Sequence, residues 1–280
     1  MANLTLSAFA DEYSSAFDEQ LNALNNFGIN YVEIRGVDGK NVSELTKLQV
    51  QEVKAKLNAR NIGVSSIGSP LGKIRLDGDM DAHIEQAKSI YETAEILGAK
   101  NVRMFSFYLP DGKSAVECKQ QAFDAVGRLL KASEDFDVVL CHENEAKIYG
   151  ESPENCRALL DYFNGKLKCV FDMGNFVLDG FKPYPDAYKK LFDYVEYFHI
   201  KDSLYAGAIV PPGKGEAQIK EILTDYRKNG RKDTFITLEP HLQTFDGLNA
   251  LVGKSFDNPY KYETPQLAFT DAVEKLRGLL

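Results

Sequence analysis

Short apolar runs rich in β-branched and aromatic residues alternate along the chain with longer stretches in which apolar residues recur at helical spacing. This alternation is typical of parallel strands joined by crossover helices. It predicts eight strands, at residues 4–10, 31–35, 63–69, 101–107, 138–143, 167–174, 195–202 and 234–240. It predicts helices at about 14–28, 43–60, 80–98, 115–134, 153–163, 185–193, 215–229 and 263–279.

The second helix shows how the pattern is interpreted. It is expected to open at residues 42–44 and to end at the Arg-Asn-Ile-Gly sequence of 60–63. Its apolar positions recur at near-helical spacing above a charged face, and they are Leu45, Leu48, Val53 and Leu57.

The length of the repeating unit fixes the predicted architecture. Eight units in 280 residues give 280/8 = 35 residues each, which is one strand, one helix and two short connections. The chain is therefore predicted to be of the α/β class, a closed (β/α)8 barrel or TIM barrel. No linker or composition shift divides it, so 1–280 are predicted to form one domain. The long connection at 241–262 is expected to be a lid or a packed surface loop.

The charge balance opposes binding to polyanions. The chain has 33 Lys and Arg residues against 41 Asp and Glu residues, a net charge of −8, which disfavours attraction to phosphate backbones or anionic lipid. Neither nucleic acid nor a membrane is expected as a partner. No CxxC pair occurs among the four cysteines, and the N-terminus resembles a strand rather than an export leader, so a cytoplasmic location is expected.

Charged residues that end otherwise apolar strands are informative, because barrels of this class carry their active sites at the C-terminal ends of the strands. Four consecutive predicted strands end in this way, in Cys-His-Glu-Asn at 141–144, Phe-Asp-Met-Gly-Asn at 171–175, His-Ile-Lys-Asp at 199–202 and Leu-Glu-Pro-His at 238–241. They predict a ring of Glu143, Asp172, His199 and Glu239.

This ring suggests a metal site. Three carboxylates and an imidazole in one ring are unfavourable unless a cation neutralises them, because each buried unpaired charge costs several kcal/mol. One divalent metal ion is the simplest explanation, and hard oxygens with a single nitrogen suit Mn²⁺, Mg²⁺, Co²⁺ or Zn²⁺ equally. The alternative, strand-end caps or surface ion pairs, is disfavoured because the residues occupy equivalent positions on four adjacent strands.

These segments resemble the signature segments of the xylose isomerase-like barrel superfamily of sugar isomerases and epimerases, as does the Pro-Gly-Lys-Gly turn at 212–215. The resemblance spans nearly the whole chain. It implies one divalent metal bound by Glu143, Asp172, His199 and Glu239, and neighbouring oxygens of a ketose or related hydroxyketone bound to that metal. It also implies that one glutamate removes the proton α to the carbonyl while the other works from the opposite face.

Such roles are physically reasonable. A cation polarises the carbonyl and stabilises an enediolate, and two opposed carboxylates can exchange the roles of base and acid. Glu143 and Glu239 are the predicted catalytic pair, since their strands lie three places apart in the ring.

Further polar residues end the predicted strands or share a face with the ring. Lys201 shares the face of His199, and His241 shares that of Glu239. They are interpreted either as contacts to a small-molecule sugar substrate or as ordinary charges of the rim. The candidates for substrate binding are Lys201, His241, Asn175, Arg35, Glu33 and Arg103.

Several enzyme reactions fit this ring. Isomerisation, epimerisation, dehydration of a keto-inositol and elimination from a keto-glycoside all begin with proton abstraction beside a carbonyl. Isomerase or epimerase is therefore the first prediction and dehydratase or lyase the alternative. A phosphorylated substrate would need a basic pocket, for which the candidates are Arg35, Lys73, Arg75, Arg103, Lys201 and Lys214. The sequence leaves open whether the chain forms a homo-oligomer.

The sequence disfavours two other classes of function. The superfamily includes an endonuclease branch that cleaves DNA at abasic sites, and that branch uses more histidines than the four of this chain. His83 lies in a charged helical stretch where exposure is expected, and Asn175 stands where the branch has a histidine ligand. A barrel that binds sugar or metal without chemistry is the third class, but a mere binder does not require two opposed carboxylates.

Overall fold

All eight predicted strands are present and parallel, and they form the near-closed barrel of an α/β TIM fold. The computed structural model describes residues 1–242 and 260–280. The strands are β1 (Leu4–Ala8), β2 (Tyr31–Ile34), β3 (Gly63–Ile67), β4 (Asn101–Met104), β5 (Val139–Glu143), β6 (Lys168–Asp172), β7 (Val195–Ile200) and β8 (Thr234–Leu238). Around the barrel their order is β1-β8-β7-β6-β5-β4-β3-β2, and β1 lies against β2. The predicted fold class is confirmed.

Helices follow the strands along the chain, as the pattern predicts. They are α1 (Phe17–Asn26), α2 (Lys47–Ala59), α3 (Met80–Leu97), α4 (Ala115–Ala132), α5 (Pro153–Tyr162), α6 (Met173–Leu178), α7 (Tyr188–Leu191), α8 (Ile219–Asn229) and α9 (Pro265–Arg277). A π-helical turn at Pro183–Ala187 precedes α7, and an antiparallel ribbon of Asp202–Leu204 with Ala208–Val210 follows β7.

The start of the second helix is predicted wrongly. A separate 3-10 turn forms at Val42–Glu44, and α2 begins only at Lys47, because the side chain of Thr46 caps it. Leu48 consequently lies outside the core and is 65% exposed. The buried positions of α2 are Val50, Val53 and Leu57.

The strand predicted at 167–174 ends at Asp172, and α6 follows at once. Asp172 is the N-cap of this helix, since its Oδ1 accepts a hydrogen bond of 2.8 Å from the backbone N–H of Asn175. One carboxylate therefore ends a strand and starts a helix, which leaves its second oxygen to face the barrel mouth.

Alternation along each strand separates a helix-facing layer from the barrel interior. On β7, Phe198 and Ile200 pack into the main hydrophobic core between barrel and helices, whereas Tyr197 points inward to a small cluster with Cys141 and Val170. The inward positions that follow Tyr197 on the same face are polar. The polar side chains at the C-terminal end of the barrel therefore lie next to a thin apolar layer formed by Cys141, Val170 and Tyr197.

His83, for which exposure is predicted, is buried on α3. Its Nε2 accepts a hydrogen bond of 2.8 Å from the backbone N–H of Gly72, and its ring meets the edge of Phe107. Burial lowers its pKa, which favours the neutral imidazole that can accept this bond. The charged sequence around His83 belongs to the outer face of the helix.

Most of the long connection predicted at 241–262 falls on residues 243–259, which lie outside the described residues, so a lid or packed loop there stays a prediction. His241 and Leu242, which lead into it, are buried. None of the helices in the described part of the chain is long and apolar enough to cross a membrane.

Candidate metal centre

The four side chains that the strand ends predict come together at the C-terminal mouth of the barrel. Glu143 is the last residue of β5, Asp172 is the last of β6, and His199 lies near the end of β7. Glu239 directly follows β8. One ligand atom from each lies within 4.8 Å of the other three, and all four residues are buried. Metal binding by this set stays a prediction.

The imidazole of His199 lies between carboxylates on both sides. Its Nδ1 is 3.0 Å from Oε1 of Glu143 and 3.3 Å from Oε2 of Glu239, while its Nε2 is 3.2 Å from Oε2 of Glu33. Burial alone would lower the pKa of His199, but the surrounding carboxylates, Glu143 foremost, raise this pKa well above its ordinary value. Because Nδ1 faces two of the other candidate ligands, it is the nitrogen placed to bind a cation.

Lys201 lies beside Asp172. Its Nζ donates hydrogen bonds to Oδ2 of Asp172 at 2.9 Å and to Oδ1 of Asn175 at 3.0 Å. The lysine stem passes so close to Gly174 that a Cβ there would lie 2.7 Å from Cγ of Lys201, which explains the glycine in the Phe-Asp-Met-Gly-Asn segment. Burial raises the pKa of Asp172 to about 6, although Lys201 opposes that shift.

Glu239 is surrounded by basic side chains. Its Oε1 accepts a hydrogen bond of 3.0 Å from Nη1 of Arg35 and lies 3.1 Å from Nε2 of His241, while its Oε2 is 3.2 Å from Nζ of Lys201. Burial would raise the pKa of Glu239, but Lys201, His241 and His199 outweigh burial and lower the pKa well below its ordinary value. The carboxylate is therefore ionised at neutral pH.

Glu143 has a cation of its own. Its Oε2 lies 3.2 Å from Nη1 of Arg103, a buried residue of β4. Burial would raise the pKa of Glu143, but His199 and Arg103 outweigh burial and lower this pKa to about 2. Both predicted catalytic glutamates are thus held in the form that can accept a proton.

The charges of the centre correct one part of the sequence argument, because the carboxylates are not left to a metal alone. Three permanently cationic side chains lie among them, and they are Arg35, Arg103 and Lys201. Against these stand six acidic side chains, Asp11, Glu12, Glu33, Glu143, Asp172 and Glu239. Burial raises the pKa of Glu12, so its carboxyl group is left out of the count. The other five acids outnumber the three permanent cations, and the described centre keeps a negative balance that suits a cation as long as His199 and His241 are not both protonated.

The donor atoms also fit a divalent ion. Oε2 of Glu143 and Oε2 of Glu239 are buried and accept no hydrogen bond within the described residues, although each has a cation at 3.2 Å. Three carboxylates and one imidazole nitrogen match Mn²⁺, Mg²⁺, Co²⁺ and Zn²⁺ alike. The residues present fit one such ion and do not choose among these metals.

Asn144 and Asn175 fasten the strand ends to each other. The side chain of Asn144 donates to the backbone oxygen of Asp172 at 2.9 Å and accepts from its N–H at 3.0 Å. The side chain of Asn175 donates to the backbone oxygen of Asn144 at 2.9 Å. The amide of Asn175 therefore bonds Lys201 through its oxygen and Asn144 through its nitrogen. The substrate contact predicted for Asn175 stays a prediction.

The Pro-Gly-Lys-Gly turn at 212–215 is wrapped around Asp202. Oδ2 of Asp202 accepts hydrogen bonds from the backbone N–H of Gly213 at 2.7 Å and of Gly215 at 2.9 Å. A Cβ on Gly215 would lie 2.2 Å from Oδ1 of Asp202, and Gly213 has φ +79°. Two of the segments singled out in the sequence are therefore one structural unit beside Lys201.

Sequence reasoning missed three residues of the centre. Asp11 accepts from Nε of Arg35 at 2.8 Å, and Glu12 accepts from the backbone N–H of His241 at 2.7 Å. Tyr197 donates from its hydroxyl to Oε1 of Glu33 at 3.0 Å. Asp11 and Glu12 could have been found because they are charged residues that follow a strand. Tyr197 could have been found because it lies two residues before His199 and so shares its face of β7.

A sequence model described as the xylose isomerase-like TIM barrel matches residues 21–257 of the chain. No curated protein matches the chain in sequence. Many solved structures share the fold.

Three of these structures illustrate the likeness. The IOLI protein, solved with a binding zinc atom, has a TM-score of 0.77 at 17% identity, with 99% of this chain and 98% of that chain covered. D-psicose 3-epimerase of Clostridium cellulolyticum H10, solved with D-tagatose, has a TM-score of 0.74 at 13% identity and the same coverage. The probable 3-DHS dehydratase AsbF of Bacillus anthracis has a TM-score of 0.72 at 16% identity, again covering 99% and 98%. At these identities the likeness shows the fold.

Proposed function

The chain belongs to the xylose isomerase-like TIM barrel family, and we propose that it is a divalent-metal-dependent isomerase or epimerase of a ketose, a keto-inositol or a related sugar. The observation that carries the proposal is the convergence of Glu143 and Glu239, from β5 and β8, on Nδ1 of His199. Two ionised carboxylates beside one nitrogen ligand offer a base on either side of a substrate carbon next to a carbonyl.

Glu143, Asp172, His199 and Glu239 would hold the cation. When bound, it supplies Lewis-acid polarisation of the substrate carbonyl and offsets the negative charge that develops on the carbonyl oxygen. Within the protein, Oδ1 of Asp172 caps α6 and Nε2 of His199 faces the carboxylate of Glu33. These two residues are therefore committed to holding the ion, while the longer glutamates can each present an oxygen to the substrate.

The two glutamates divide the proton transfer. One carboxylate removes the proton α to the carbonyl. If the product is an epimer, the other carboxylate first takes up a proton from solvent and then delivers it to the opposite face of the same carbon. The lowered pKa values of Glu143 and Glu239 keep both carboxylates ionised at neutral pH, so either can act as the base.

A lyase reaction is the second candidate function. Loss of water after the same proton abstraction needs a proton donor beside the base. Nε2 of His241 lies 3.1 Å from Oε1 of Glu239, so an imidazole is available next to one base.

The ion pairs of the mouth favour an uncharged substrate. Five of the six cations that the sequence offers for a phosphate pocket lie within 3.2 Å of a carboxylate, and they are Arg35, Lys73, Arg75, Arg103 and Lys201. Burial would raise the pKa of Asp271, but hydrogen bonds from Lys275 and Tyr262 lower it, and the charge of the sixth cation, Lys214, makes a smaller contribution in the same direction. A phosphate would have to compete with these carboxylates, and its charge of about −1.5 to −2 would meet a centre of the same sign.

Solvent exchange tests the proposal without knowledge of the product. The protein loaded with Mg²⁺ or Zn²⁺ is incubated in D₂O with ketoses, inososes and their phosphates, and the α-proton signal is followed by NMR. We expect metal-dependent loss of that signal for a neutral substrate and slower loss for its phosphate. Retained carbon stereochemistry, a new epimer or a new alkene distinguishes simple exchange, epimerisation and elimination. No exchange with any of these compounds by the folded, metal-loaded protein would contradict the proposal.

A further inference from the structure

The structure assigns to Glu33 the role of a positioning residue that fixes the ring of His199 with Nδ1 towards the candidate metal ligands. The inference rests on the proposed metal centre. Glu33 lies on β2 and His199 on β7, so the contact crosses the barrel interior. Sequence reasoning placed Glu33 among the substrate-binding residues, and its contacts favour this different role.

Both oxygens of Glu33 are engaged by the protein. Oε2 lies 3.2 Å from Nε2 of His199, and Oε1 accepts a hydrogen bond of 3.0 Å from the hydroxyl of Tyr197. That hydroxyl is in turn 2.9 Å from Oγ of Ser66. All four side chains are essentially inaccessible to solvent. The hydrogen bond from Tyr197 therefore holds the carboxylate of Glu33 in place inside the barrel, where it contacts the imidazole of His199.

Irregularities in two strand pairs aim these side chains. The register of β2 against β3 shifts between Val32 and Glu33, and the register of β6 against β7 shifts between Cys169 and Val170, opposite Tyr197. A shift of this kind re-aims the side chains that follow it. Glu33 and Tyr197 both stand at the first paired position after a shift, which is where their side chains meet.

The contact between Glu33 and His199 determines which ring nitrogen can bind a metal. A neutral imidazole has one N–H donor and one lone pair, and only the lone pair can bind a metal. Oε2 of Glu33 is placed to accept a hydrogen bond from Nε2 of His199, so Glu33 holds the proton on Nε2 and leaves Nδ1 to bind the cation. A carboxylate behind a histidine ligand also makes the imidazole a stronger ligand and prevents its rotation. The edge contact of His199 with Phe9, at 5.1 Å between centroids, restricts the ring further.

Metal affinity and the state of the His199 ring test this role. The variants are Glu33→Ala, Glu33→Gln and Tyr197→Phe, with Tyr91→Phe as the matched control, because Tyr91 is a buried tyrosine whose hydroxyl bonds the backbone of Leu129 far from the centre. Mn²⁺ affinity is measured by calorimetry, and the ring nitrogens are observed by ¹⁵N NMR of the metal-free protein.

We expect Glu33→Ala to weaken Mn²⁺ binding by about 10- to 100-fold. Glu33→Gln, which retains an acceptor, should recover part of this loss, Tyr197→Phe should have a smaller effect, and Tyr91→Phe should match the wild type. The Nε2–H signal of His199 should persist in the wild type and be lost or exchange in Glu33→Ala. If Glu33→Ala does not fold, Glu33→Gln and Tyr197→Phe carry the test.

Two results would overturn the inference in distinguishable ways. Mn²⁺ affinity and ring signals in the folded Glu33 variants equal to those of a metal-binding wild type would remove the role of Glu33 and leave the proposed function intact. A wild type that binds no divalent ion would remove the metal centre itself, and the positioning role with it.

Discussion

Nζ of Lys201 lies 2.9 Å from Oδ2 of Asp172 and 3.2 Å from Oε2 of Glu239, so one buried ammonium bridges two of the four candidate metal ligands. Together with Arg35 and Arg103, this cation compensates the carboxylates of the centre. It also repels any divalent ion bound to the same oxygens, because two like charges a few ångströms apart interact strongly in a buried site. The affinity of the centre for metal is therefore set partly by Lys201.

Lys201→Met should lower the stability of the metal-free protein and raise its affinity for metal. Removing one partner of a buried ion pair costs about 3–5 kcal/mol, since the remaining charge is left uncompensated. We expect a lower Tm without metal and a larger increase in Tm on addition of Mn²⁺ than in the wild type, measured by scanning calorimetry. Lys73→Met is the matched control, because its pair with Glu145 lies outside the four ligands. A smaller Mn²⁺-induced increase than in the wild type would contradict the explanation.

Asp172→Asn should separate the two roles of that residue. Asparagine is as good an N-cap as aspartate, so the start of α6 should be retained while the charge that would bind the metal is lost. We expect Mn²⁺ affinity to fall at least about tenfold with little change in helix content by circular dichroism. Asp172→Ala removes the cap as well and should lose metal and stability together. Stoichiometric metal retained by both Asp172→Ala and His199→Ala would show that the assignment of ligands is wrong.

Metal affinity should rise with pH across the neutral range. The pKa of His199 is raised well above its ordinary value by the surrounding carboxylates, so at neutral pH Nδ1 carries a proton that must leave before a cation binds. Lower pH favours the proton and weakens binding, and higher pH favours the metal. Calorimetry in two buffers of different ionisation enthalpy should detect proton release at pH 7. Affinity that stays constant from about pH 6 to 8 would disagree with metal binding through His199.

The sequence predicted the parts of this centre that depend on a single strand. The ends of β5 to β8 could be identified because each is a short apolar run followed by a charged residue. Strand alternation predicted that Lys201 shares the face of His199 and that His241 shares the face of Glu239, and the side chain of His241 does lie next to that of Glu239. The same rule applied to β1 would have found Asp11 and Glu12. After β1, two apolar residues separate the charged residues from the end of the strand. A 3-10 turn, Ala10–Glu12, then brings them to the centre.

Contacts across the barrel could not be predicted in the same way. The bond between Glu33 and His199 depends on register shifts in two separate strand pairs, and no residue type in the sequence marks either shift. The compensation of the carboxylates by Arg35 and Arg103 likewise depends on which oxygen each guanidinium reaches. The sequence argument therefore predicted that the four candidate ligands lie together, as they do, and left out the arginines that share in compensating their charge.

The protein should not cleave DNA at abasic sites. Of its four histidines, His83 accepts a hydrogen bond from the backbone on α3 and His142 faces Ser106 outside the four ligands, which leaves His199 and His241 near the centre. The net charge of −8 also opposes binding to a phosphate backbone. We expect no incision of an abasic duplex at low salt with Zn²⁺, Mn²⁺ or Mg²⁺. Metal-dependent cutting that disappears in Glu239→Gln would establish the nuclease function instead.

Glu143→Gln and Glu239→Gln should retain much of the metal and lose turnover by at least ~10². Each amide keeps an oxygen that can face the cation but cannot accept a proton, whereas Asp172 and His199 continue to hold the ion. Single-turnover exchange in D₂O should show that one variant still exchanges the α-proton on one face, since the opposite carboxylate is intact. Mn²⁺ content measured on the same samples separates lost chemistry from lost metal. Near wild-type turnover by both metal-loaded variants would exclude the two-glutamate mechanism and direct attention to Lys201 or His241 as the base.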